Sequence, residues 1–127
     1  MSGLNEYEKI FILLKNILSK YSKKMNVRED NAKSYVLVGP YSEKFKRDLW
    51  FGAVLIKKNY VSYHLVPIYM YKNLSKEIPQ SLKKRMQGKS CFNFNKIDER
   101  LFKQLELLTD KDFDMFIKFG DNIPADV

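Results

Sequence analysis

His64 and Cys91 are the sole histidine and the sole cysteine in the chain, and they bound the chemistry it could perform. An imidazole titrating near neutrality can serve as general base or metal ligand, and a thiolate is a nucleophile. A closed zinc shell takes four such ligands, which one His and one Cys cannot supply. His64 lies in a strand-like run with Ser62 and Val66 as same-face neighbours, and local spacing assembles no Ser-His-Asp or Cys-His arrangement. Cys91 approaches His64 only if their strands pair. The default reading is a hydrogen-bonded structural histidine and a small buried cysteine. No catalytic residue, metal ligand or cofactor is expected, and an enzyme is the least favoured class.

Gly88-Lys89-Ser90 resembles the end of a phosphate-binding loop, but position 83 is Lys83 rather than glycine and a strand pattern follows. The motif reads instead as a helix stop. Lys89, beside the Lys83-Lys84-Arg85 turn, makes an anion-attracting corner. The carboxylates offer less: Glu6 and Glu8 stand among Lys9, Lys15, Lys20, Lys23 and Lys24, while Asp110, Asp112 and Asp114 suit helix capping and the helix dipole. The strongest binding signal is aromatic. Trp50, Tyr63, His64, Tyr69, Met86 and Phe92, with Arg85 and Lys89 at the mouth, are expected to line a pocket between the sheet and a helix over residues 79–88. The competing reading makes the same side chains core.

Twenty-three Lys and Arg against 15 Asp and Glu give a formal charge of +8 over 127 residues. The excess is spread along the chain, which fits a solvated basic surface and leaves a small anionic or aromatic ligand, or a nucleic acid, as partner. Phe51-Gly52-Ala53-Val54 faintly echoes an RNA-recognition strand, yet Trp50 and Ala53 occupy positions where glycine and a stacking ring belong. The apolar run at residues 10–14 is bracketed by Lys9 and Lys15 and is too short for a membrane span or signal core. With one cysteine, this predicts a cytoplasmic protein with no membrane partner. Oligomeric state is not readable.

These residues must be positioned by elements whose signals are local. Leu4, Tyr7, Phe11, Leu14, Leu18, Tyr21 and Met25, widened by Ile10, Leu13 and Ile17, predict one helix face over residues 4–25. Residues 26–33 read as a polar connector, 34–38 as a strand ending at Gly39-Pro40, and 41–48 as a charged loop. A second strand over 50–56 turns through Lys57-Lys58-Asn59 into a third, which Pro67 must end, kink or confine to an edge. Ile78, Leu82 and Met86 predict a helix stopped by Gly88, and residues 89–95 return as a strand. Asp98 caps a helix with an Ile97 and Phe102 staple and a Leu101, Leu105, Leu108 face. Thr109 with Asp112 suggests a second cap, opening a last helix with Phe113, Phe116 and Ile117 inward and Gly120 at its end. The order predicts an α+β fold: an antiparallel β-sheet with N- and C-terminal helices packed mainly on one face. One domain is expected over residues 1–120, with a frayed C-terminal tail at 121–127.

Trp50-Phe51-Gly52, the run Tyr60-Val61-Ser62-Tyr63-His64-Leu65, the turn Leu82-Lys83-Lys84-Arg85-Met86, and Gly88-Lys89-Ser90-Cys91-Phe92-Asn93-Phe94 with Ile97-Asp98 resemble the YdhG-like family of small bacterial domains of unknown function. The resemblance spans roughly residues 4 to 118. Members are similar to frataxin in fold, and some are labelled intracellular iron chaperones. It implies a frataxin-like helix, sheet and helix sandwich, with iron handling as an alternative function.

Overall fold

The computed structural model describes residues 5–124 and 127. Helix α1 spans Glu6–Ser19 and begins with a capping box, in which the Asn5 side chain accepts from the Glu8 amide and the Glu8 carboxylate accepts from the Asn5 amide. Regular helix stops six residues short of the expected Met25. A 3-10 turn at Ser22–Lys24 follows, with Tyr21 buried before it and Met25 packed against the core after it. Leu4 lies outside the described residues. Ile10 and Ile17 are buried as expected, but Leu13 stays exposed.

The sheet has six strands in the order β1-β2-β3-β4-β6-β5, every neighbouring pair antiparallel. They are β1 Asn26–Asp30, β2 Ser34–Ser42, β3 Arg47–Ile56, β4 Val61–Leu65, β5 Met86–Gln87 and β6 Cys91–Phe94. Two of these correct the sequence reading. β1 occupies the expected connector; every residue in it is exposed, so it carries no hydrophobic period. β5 replaces the end of the expected helix over 79–88, leaving only a short α3 at Gln80–Lys83. Gly88 does adopt the left-handed region, at φ 79, but it turns the β5–β6 hairpin instead of stopping a helix. β2 also runs on through Gly39-Pro40 with an irregular register, so the expected loop 41–48 shrinks to a tight turn. Pro67 ends the third expected strand as anticipated, in a 3-10 turn at Val66–Met70 that leads into α2, Lys72–Lys76.

Side chains alternate between an inner face under the helices and an outer face. Val61, Tyr63 and Leu65 on β4 and Phe92 and Phe94 on β6 point inward and join Leu14, Leu18, Phe51 and Leu105 in one buried cluster. A β-bulge interrupts the alternation: Leu37 pairs Gly52 and Val38 pairs Trp50, so Phe51 is the extra residue. Phe51 therefore points inward and Trp50 outward. A Cβ at Gly52 would sit 2.9 Å from the His64 carbonyl and 2.8 Å from Leu18 Cδ1, so glycine is what lets α1 approach this strand.

Helix α4 is a single element, Glu99–Phe119, capped by the Asp98 side chain accepting from the Leu101 amide and ended at Gly120. The expected break at Thr109 is absent. Thr109 is fully buried, with its hydroxyl donating to Leu105 O at 2.7 Å and accepting from Tyr63 at 2.7 Å. Asp112 is fully buried beside it, Phe116 is buried, Phe113 is half-buried and Ile117 is exposed. Lys20–Glu106 at 2.7 Å and Tyr21 Oη to Asp110 at 2.9 Å tie the end of α1 to α4. After Gly120, Asp121 accepts from Ser42 and the Val127 carbonyl accepts from the Asn73 amide. The architecture is α+β, and no described helix is long and apolar enough to cross a membrane.

Candidate functional site

The pairing of β4 with β6 places His64 directly opposite Cys91 on the outer face. His64 Nε2 is 3.1 Å from Ser62 Oγ and 3.8 Å from Cys91 Sγ; the thiol donates to Asn93 Oδ1 at 3.3 Å, and Asn93 Nδ2 donates to Gln87 at 2.8 Å. This is a polar network across three strands, which local spacing alone could not reveal. Its electrostatics run against nucleophilic chemistry. Burial lowers the His64 pKa and the Lys57 ammonium lowers it further; burial raises the Cys91 thiol, with Lys57 offsetting part of that. The resting pair is a neutral imidazole and a protonated thiol, the reverse of the ion pair that activates a cysteine. Among the described residues no three His, Cys, Asp or Glu side chains converge to hold a metal.

The eight residues expected to share one pocket are divided among four environments. Tyr63 and Phe92 are fully buried in the inner core. His64 belongs to the outer-face network, and Arg85, whose carbonyl pairs with the Asn93 amide, is an exposed neighbour of it. Met86 and Lys89 line an open groove with Tyr69, and Trp50 and Tyr69 line a separate cleft. The inward and outward division of Trp50 from Tyr63 follows from strand parity together with the Phe51 bulge.

The cleft has a volume of about 250 Å³ and lies where the β2–β3 turn meets the 3-10 turn after β4. Trp50, Tyr69 and Phe45 are all more than a third exposed on its walls, at 38%, 46% and 40%. Leu49, Pro67, Met70 and Phe116 supply its apolar floor. Arg47 and Asp48 are its charged groups. Asp48 is neutralised by Arg28 on β1, whereas Arg47 has no ion-pair partner among the described residues. Of its lining, sequence reasoning found only Trp50 and Tyr69, and missed Phe45, Arg47, Asp48, Leu49, Val66, Pro67, Met70 and Phe116. Phe45 had a signal: an aromatic ring between Lys44 and Lys46 has no core role in a charged turn. The adjoining groove, about 780 Å³, is lined by Lys72, Lys76, Lys83 and Lys89, with Tyr69 common to both cavities. In comparisons with family models, curated proteins and solved structures, the chain matched none.

Proposed function

We propose that this chain is a non-catalytic small-ligand-binding domain of the YdhG-like kind, and that its ligand occupies the Trp50–Tyr69 cleft. One observation carries the reading. Most aromatic rings of the molecule are packed away, yet Trp50, Tyr69 and Phe45 leave large surfaces open around one concave, largely apolar space. The Cys91–His64 pair supports the non-catalytic part, since burial keeps the thiol protonated and neither residue lines the cleft. The iron-handling alternative carried by the family resemblance finds no group of three or more metal-ligating side chains among the described residues.

Trp50 is the only tryptophan, so its indole N–H gives a single reporter signal in a nitrogen-edited NMR spectrum. Titration with 2-naphthol, a neutral bicyclic probe, is expected to shift that signal saturably. Tyr69→Ala should abolish the saturable shift while changing stability by no more than about 0.5–1 kcal/mol, because the ring is exposed. Absence of a saturable shift in the native protein would refute the cleft as a ligand site.

A further inference from the structure

The groove beside the cleft has a charge pattern that an apolar ligand does not use. Lys72 and Lys76 lie one helical turn apart on α2, Lys83 ends α3, and Lys89 follows the Gly88 turn, so separate elements bring four ammonium groups to one depression. No carboxylate lines it, and none of the four lysines has an ion-pair partner among the described residues. The nearest acid in sequence, Glu77, is engaged by Lys111 of α4 at 3.2 Å. Unpaired lysines grouped in this way repel one another, and an anion of several charges relieves that repulsion. Lysine suits phosphate well, as a point charge on a flexible stem.

Tyr69 lines both cavities, so they lie next to each other about one ring. We propose that the groove takes the phosphates of a mononucleotide whose base lies against Trp50 in the cleft. Resting on the cleft being a ligand site, this assigns the ligand a class: a planar heterocycle linked to a polyphosphate. Stacking on an exposed indole or phenol contributes roughly 1–3 kcal/mol for a base, and lysine contacts supply the salt-dependent remainder. A single-stranded nucleic acid presents the same chemistry, but a cleft of about 250 Å³ walled by Trp50, Tyr69 and Phe45 has room for one base.

The test compares ATP, adenosine, inorganic tripolyphosphate and single-stranded oligodeoxyadenylate binding to the whole chain at low and high salt. Affinity and the Trp50 signal are read together. ATP is expected to bind at least about tenfold more tightly than adenosine or tripolyphosphate, with a Trp50 response. Lys72→Gln with Lys76→Gln should reduce ATP to about the adenosine affinity. Lys23→Gln with Lys24→Gln, an equal loss of charge in the 3-10 turn after α1, should leave it unchanged. Equal binding of adenosine and ATP would overturn the groove assignment while leaving the cleft intact. Tripolyphosphate matching ATP without a Trp50 response would overturn the joining of the two cavities. Binding of the oligonucleotide but not of ATP would overturn the mononucleotide. If neither ATP nor 2-naphthol moves Trp50, the cleft reading fails as well.

Discussion

Asp112 is fully buried in α4, and neither of its carboxylate oxygens has a hydrogen-bond partner. Burial holds its pKa well above the ordinary carboxylate range. The consequence has a definite sign. Below the unfolded pKa of about 3.9 both states carry the proton and there is no penalty. As pH rises above that value, the unfolded chain gains by ionising while the folded chain does not, so stability is lost progressively until the folded pKa is reached. Asp112→Asn removes the titration with nearly the same shape. Its stability relative to the native chain should be close to level at pH about 4 and should rise by about 1.4 kcal/mol for each unit through which the buried carboxyl stays protonated. Urea unfolding of both proteins across acid to neutral pH measures this, and an unchanging difference would mean that Asp112 is solvated or paired in solution.

At the scale of elements, the contact between α1 and the sheet depends on Gly52. Its missing Cβ leaves room for the Leu18 side chain and for the carbonyl of His64 on the next strand. The carbonyl is backbone within a ladder and cannot swing aside, so Gly52→Ala forces β3 and β4 apart or displaces α1. A cost of about 2–3 kcal/mol is expected, as for overpacking of a filled core, and chemical denaturation would show it as a lowered midpoint. Gly88→Ala makes a useful contrast. Nothing lies near the added carbon, and only the left-handed backbone resists it, which predicts a loss of about 1 kcal/mol. At the other edge of the sheet, β1 is short, charged and bulged at Arg28, features that discourage pairing with a further strand.

Over the whole molecule, α1, the inner sheet face and α4 contribute to one continuous cluster that runs from Ile10 to Phe116. β1 buries no side chain, and Val36, Val38 and Ala53 form only a small second cluster, so no element has a core large enough to stand alone and unfolding should be a single cooperative event. Trp50 emission, which reports the outer face, and far-ultraviolet circular dichroism, which reports the helices, are expected to give coincident midpoints. Separated midpoints would show that the sheet and the helices come apart independently. Fluorescence has the further value that Trp50 is half-exposed and close to the proposed ligand, so the same probe follows folding and binding.

What the chain determined by itself was whatever rests on near neighbours in sequence. Most of the α1 face, the turn at residues 57–59, the end of β4 just before Pro67, the Asp98 cap and the Gly120 stop each depend on a few adjacent residues, and these were legible. Tertiary structure decided the rest through partners far apart in the chain. Thr109 and Asp112 carry the local pattern of a helix start, but Tyr63, 46 residues away, satisfies the Thr109 hydroxyl and keeps α4 unbroken. Ile78, Leu82 and Met86 have helical spacing, yet pairing with β6 makes Met86 part of a strand. β1 is held by its ladder to β2 while exposing every side chain, so no pattern of burial could announce it. The candidate site follows the same division. Aromatic richness around Trp50 and Tyr69 was visible in the sequence, but one bulged residue, Phe51, and the pairing of six strands set which rings became core and which were left facing solvent.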